Sequence, residues 1–491
     1  MFLSLSRSNL RSIACRSRTT LGIESSSSSR YRLSGIISTH AKGTLQSNDD
    51  SGSHTPNSRR TFSTIDGASN DGSSLPFSVS SLGLEKTFIT PALASIRQLP
   101  EVETAWTQFP SPTSQDQLER ACDVFSSYSK GGSEHLAVMA LLAECQQRLA
   151  LYDKAVTTLD TLYELKQLQN SATTPNNNSK EDMILAQAKV LWTQGDFQES
   201  QQLCESIIAD YNDLQETFST TNLHLGAAMT GKALSQLGAM NSIDDAYSVR
   251  DYFRIALKFL ERHPGSTQNT LPMAAAHANY GVAEAAYAIF LEETNNVSVP
   301  MDAALRTWFQ GMQKAEGHKS QAQLGSPQLS AASKTLQASL QVNMAWGILH
   351  YEHDRSDRLS KASEYGKKAL ASYDDTPGGK SAEGLRRVLT IVAECYHQAG
   401  GAVTAEGLFQ SATDSKNNKN KASTVALSQQ LELQEAYRGY SELCSKWDKR
   451  EGDAKKLLEK AHKIDETLPS GWKGKAGIYS SLWFWTPNDF L

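Results

Sequence analysis

At three places in this 491-residue chain a small residue recurs twelve positions after another, followed by further packing residues four and seven positions on. The sets are Ala143, Ala155, Leu159 and Leu162; Ala188, Ser200, Cys204 and Ile207; and Ala393, Ala405, Phe409 and Ala412. Twelve residues is the distance from the middle of one helix, around a tight turn, to the facing position on an antiparallel second helix. Small side chains at both positions let the two rods approach closely, and the residues at +4 and +7 then fill the seam against the next pair. Gly195 and Gly400 fall at the end of the first helix in two of these sets, where a left-handed backbone is needed. Few folds accept this constraint; a stack of helical hairpins does.

Weaker copies extend the pattern across residues 113–466. Phe253 with Ala256, Ala304 with Trp308 and Gly311, Ala362 with Gly366 and Ala369, and Ala454 with Leu458 and Ala461 supply its anchors. An earlier half-hairpin offers Ala121, Phe125 and Tyr128 as an N-terminal cap. These residues resemble the tetratricopeptide repeat, a helix-turn-helix unit of about 34 residues. The resemblance implies an all-α, right-handed α-solenoid of stacked antiparallel hairpins, about seven in number. The departures are definite. The last anchors of successive copies, at 162, 207, 256, 311, 369, 412 and 461, are 43 to 58 residues apart, and the family's Trp and Pro are mostly missing. Longer helices or inserted loops must take up the difference, so the pitch is not the regular one.

Composition narrows the setting. The chain is 39% hydrophobic, has a mean hydropathy of −0.44 and contains no run of eighteen apolar residues, which marks a water-soluble chain without a spanning helix. Six cysteines are scattered without a CxxC pair, so thiols packed as small apolar groups are expected, not zinc sites or disulfides. Residues 1–48 carry seven basic side chains against Glu24 alone, rich in Ser and Arg with apolar residues between. That is the signature of an organelle transit peptide. "RRTFST" at 59–64 resembles a mitochondrial presequence cleavage site, with Arg60 and Phe62 in its defining places and Ser63 as the new N-terminus. A plastid address is the alternative. Residues 43–82 show no apolar period and read as disordered. The whole chain is −5 and residues 49–62 cancel, so the body from Ser63 is −11. An acidic body repels phosphate backbones, which counts against nucleic acid as the main ligand.

Catalytic chemistry leaves little trace. Gly378-Gly379-Lys380-Ser381 is the tail of a phosphate-binding loop, but Asp374 stands where its first Gly belongs. His350 and His353, beside Glu352 and Asp354, suit either a metal or the polar end of a helix. No HExxH or GxSxG motif is present, and no cofactor is expected. By the resemblance, the concave face includes Lys189 and Trp192 in the second repeat, beside Asp182 and Leu185. In the sixth it includes Arg387, Glu394 and His397, beside Thr390. Chaperone-binding members clamp a carboxylate at two places held here by Ala140 and Glu144, and by Thr390 and Glu394, which speaks against that role. The tail concentrates three of the eight tryptophans, Trp472, Trp483 and Trp485, with Tyr479, Phe484 and Phe490. So much aromatic surface is unfavourable in water. Either the tail folds back over the solenoid, or it docks a partner or a membrane surface.

The expected organisation is a transit peptide at 1–62, a low-complexity linker with short helices at 63–112, the solenoid at 113–466 and the aromatic tail at 467–491. The expected function is a non-catalytic, mitochondrial protein-interaction scaffold that takes a peptide or helix in its groove, an assembly or organising factor for a larger complex. The alternatives are an organelle RNA-binding repeat protein and, behind it, a metal-dependent enzyme on a helical body.

Overall fold

The computed structural model describes residues 84, 88–89, 92–96, 98–108, 115–128, 135–170, 177–212, 223–262, 270–295, 301–322, 327–352, 356–374, 384–413, 427–447, 449–469, 472–473 and 476–489, all within the unit Ser73–Leu491. The transit peptide, the cleavage motif, the phosphate-loop fragment 375–383, His353 and Phe490 lie outside them.

Among the described residues there is no strand. Sixteen helices of nine residues or more follow one another: α1 Pro100–Gln108, α2 Gln115–Tyr128, α3 His135–Arg148, α4 Tyr152–Asn170, α5 Asn177–Gln194, α6 Phe197–Asn212, α7 Leu223–Ala239 and α8 Ile243–Arg262. After these come α9 Thr270–Asn295, α10 Asp302–Ala322, α11 Pro327–Tyr351, α12 Arg358–Asp374, α13 Leu385–Gln398, α14 Ala402–Thr413, α15 Leu427–Ser445 and α16 Glu451–Thr467. Each packs on the next, so the chain is an α-solenoid-like array of sequential hairpins. Seven of them, α3/α4 to α15/α16, carry the repeat; the expected half-hairpin is α2, and it has a partner in α1.

The anchors account for the pairing. All twelve residues of the three strong sets are at most 1% exposed. Ser200 Oγ donates to the Ala188 carbonyl at 2.8 Å, which measures how closely α5 and α6 approach. Elsewhere an aromatic of one helix lies on a glycine of another. Phe409 covers Gly439, where a Cβ would come within 2.7 Å of the ring, and Trp308 covers Gly281 while its Nε1 donates to the Ala278 carbonyl at 3.1 Å. The wide spacings of 55 and 58 come from length: α9, α10 and α11 run 26, 21 and 25 residues. Leu458 is the anchor that fails, at 41% exposed: among the described residues α16 packs on α15 and no further long helix covers its other side.

First and second helices differ as their neighbours require. In α8 the buried residues Ala246, Val249, Phe253, Ala256, Leu257 and Leu260 form one stripe. In α9 nearly every side chain from Leu271 to Phe290 is buried, as in a rod enclosed on all sides. From α5 onward the first helices α5, α7, α9, α11, α13 and α15 also touch each other in turn, and α15 reaches back to α5. They form a common inner face.

The turns repeat too. After α5, Gly195 N–H donates to the Trp192 carbonyl at 3.1 Å and Asp196 N–H to Leu191 at 2.9 Å; after α13, Gly400 and Gly401 do the same to His397 and Tyr396. This is the Schellman arrangement, with φ of +103° at Gly195 and +83° at Gly400. After α3 the same two bonds form with Ala150, at φ +56°, in glycine's place. No side chain crowds Gly195 or Gly400, so the backbone alone demands glycine there. Gly195→Ala and Gly400→Ala are each expected to lower stability by about 1 kcal/mol, and Ala150→Gly to raise it by a similar amount. Urea unfolding midpoints check both signs.

Candidate functional site

The inner face is occupied by the chain's own C-terminal segment. Trp472, Tyr479, Phe484 and Trp485 are each no more than 3% exposed and belong to the central core. Trp472 stacks on Tyr479 at 4.7 Å between centroids, meets Phe197 at 5.6 Å, and donates from Nε1 to the Leu237 carbonyl of α7 at 3.0 Å. The short helix Ala476–Tyr479 then lies against α9, α11 and α15.

Residues 482–486 have no helix or strand of their own and are held by side chains of the inner face. Asn279 of α9, fully buried, takes both backbone groups of one residue: its Oδ1 accepts the Trp483 N–H at 2.9 Å and its Nδ2 donates to the Trp483 carbonyl at 2.8 Å. A buried amide is costly unless satisfied, and this one is satisfied by the tail. Phe484 occupies the space a Cβ on Gly231 of α7 would need and meets Trp192 of α5 at 6.1 Å. Pro487–Asp489 then form a 3-10 turn on α7. Asp489 accepts the Thr486 N–H at 2.6 Å and pairs with Lys189 of α5 at 3.2 Å, both side chains largely buried.

A second cluster lies beside the short helix. Gly477 sits against the Glu435 carboxylate of α15 and the Trp346 indole of α11, with no space for a side chain. Arg387 of α13, 3% exposed, donates from Nη1 to Asn343 Oδ1 at 2.5 Å, and its Nε stands 4.0 Å from Glu435. His350 of α11 approaches Glu394 of α13 to 3.1 Å. Burial pushes the Glu435 carboxyl up to about 7 against the opposing pull of Arg387. Burial pulls His350 down, but Glu394 beside it reverses the outcome and its pKa ends above the ordinary value.

Of the residues expected to line the groove, Lys189 and Trp192 meet the tail, whereas Arg387 and Glu394 join the second cluster. His397 faces elsewhere, with its Nε2 3.0 Å from Nζ of Lys446, just past α15. Trp472, Trp483 and Trp485 are all placed by the inner face. His350 has Glu394 opposite, and no group of three or more potential metal ligands occurs among the described residues. Sequence reasoning missed Asn279 and Glu435. A signal existed for the first: Asn279 stands in "AAAHANYGVAEAA", an amide amid small apolar residues. No helix among the described residues is long and apolar enough to cross a membrane. No protein-family model and no curated protein matches the chain.

Trp472→Ala empties the contact between the tail and α7, and is expected to cost about 3–5 kcal/mol in urea unfolding. The pH dependence follows from the second cluster. Folded Glu435 holds a proton that the unfolded chain releases near its ordinary 4.5, so its contribution is complete below that value and is lost as pH rises through about 7. His350, also raised, acts in the same direction. Stability is therefore expected to fall between about pH 4.5 and about pH 7, and Glu435→Gln to flatten that fall.

Proposed function

We propose that this chain is a non-catalytic protein-interaction scaffold of mitochondria, a divergent tetratricopeptide-like array with the right-handed hand of that family. Its work is to hold an extended segment along the face shared by its first helices, and so to help assemble or organise a larger complex. One observation carries the reading: the inner face already holds a segment without helix or strand, gripping the backbone through Asn279 and the side chains through Gly231, Trp192 and Lys189. A surface able to do this for its own residues has the chemistry to do it for a partner.

Charge supports protein over RNA. The whole chain is −5 although residues 1–62 are strongly basic, so the remainder is acidic and repels a phosphate backbone. The address rests on the basic, Ser-rich segment at 1–62.

Proximity labelling in living cells tests both parts. The full chain is expected to label a small, reproducible set of mitochondrial proteins that co-purify with it, and removal of residues 1–62 to move the label to cytosolic proteins. A labelling pattern equal to that of an inert matrix-targeted control would overturn the scaffold reading. Plastid labelling would overturn the address.

A further inference from the structure

We infer that the inner face is a binding site for an extended segment of another protein, with an aromatic pair directly after the residue clamped by Asn279 and a carboxylate six positions after it. The chain's own residues 482–489 occupy this site as a displaceable stand-in. The inference deepens the scaffold reading and rests on it.

Three observations describe how this part of the tail is held. The first is the source of its hydrogen bonds. Residues 472–473 and 476–481 are built into the molecule by a stacked Trp472–Tyr479 pair, an indole bond to α7 and a short helix. Residues 482–486 have no helix or strand of their own, and the Trp483 backbone is met by a side chain 204 residues away. A side-chain amide that satisfies the N–H and C=O of one residue reads backbone and is indifferent to the side chain there. Nothing in that clamp requires the segment to be covalently continuous with the host.

The second observation is where selectivity enters. The next residue, Phe484, fills the space left by Gly231 and lies beside Trp192; Trp485 after it is 1% exposed; Asp489 meets Lys189. An aromatic pair followed by a carboxylate is therefore the pattern the face recognises. Buried aromatic anchors with one charge-assisted contact are the usual composition of an energetic centre in peptide recognition.

The third observation is that the stand-in fits imperfectly. Trp192 Nε1 on the host, and Thr486 Oγ1 on the tail, are buried without a hydrogen-bond partner among the described residues. Each such group carries an uncompensated desolvation cost. A segment that offers an acceptor to Trp192, and an apolar group in place of the Thr486 hydroxyl, binds the same face better than the tail does. Displacement then follows from differential affinity alone.

The test uses the full chain with a protease-cleavable linker inserted after Ser481, cleaved and kept with its fragment. Fluorescein-labelled peptide of residues 482–491, in excess, is expected to enter saturably and to be chased by unlabelled peptide. Peptides carrying Phe484→Ala or Asp489→Asn, which leave the host untouched, are expected to bind about tenfold more weakly or worse. Retention of the fragment with no uptake of label would overturn the inference, as would loss of helical circular dichroism when the fragment leaves, since the tail would then be a fixed part of the core. The uncut chain gives a second reading by hydrogen exchange. Amides of 482–489 are expected to exchange about a hundredfold faster than those of α9, by local opening; equal rates would contradict displacement. Because the peptide is the chain's own, failure here leaves a scaffold acting through its outer faces. Failure of the labelling experiment with exchange intact would remove the scaffold reading and its partner, and leave only an exchangeable tail.

Discussion

Close approach of antiparallel rods is the contact on which the rest of the structure depends. Where Ser200 reaches the Ala188 carbonyl, or Phe409 lies on Gly439, the helices are too near for any larger residue. Interiors are packed to crystal-like density, so this spacing leaves no slack. Pairing at that distance sets each hairpin's seam, and the seam sets where the next hairpin lands. The first helices are thereby brought into mutual contact, and α15 is carried back to α5. The inner face exists because the hairpins are thin where they cross.

That face creates a requirement of its own. Rods such as α9 are buried nearly all round, and the sides turned away from their hairpin partners need cover. The tail supplies it, with Trp472, Tyr479, Phe484 and Trp485 as buried bulk. Burying backbone that has no helix or strand of its own brings a further demand, since each N–H and C=O removed from water needs a partner. Asn279 answers it at Trp483. A scaffold and a peptide-holding surface are thus consequences of one geometry.

Much of the fold was legible because its determinants are local and repeated. Residues twelve apart on two helices leave a period in the sequence, and a glycine closing a helix leaves a mark at a fixed place. The third turn shows the limit: Ala150 adopts the same left-handed conformation with no glycine to announce it. The aromatic tail was legible as surface that must be covered, though its berth was not. Asn279 meets Trp483 across 204 residues and Lys189 meets Asp489 across 300, separations that produce no periodic signal. Arg387 and Glu394 were expected on an open groove and instead lie in a polar cluster with His350 and Glu435, because the first helices close on each other there. His397, one turn further on, is directed to Lys446.

The most direct test is a zero-length carbodiimide cross-link, which joins an amine and a carboxylate only when they touch. At a protein concentration low enough to exclude links between molecules, a Lys189–Asp489 product identified by mass spectrometry is predicted. Asp489 recovered unlinked, or joined to a lysine remote from α5 and α7, would contradict a tail laid along the inner face.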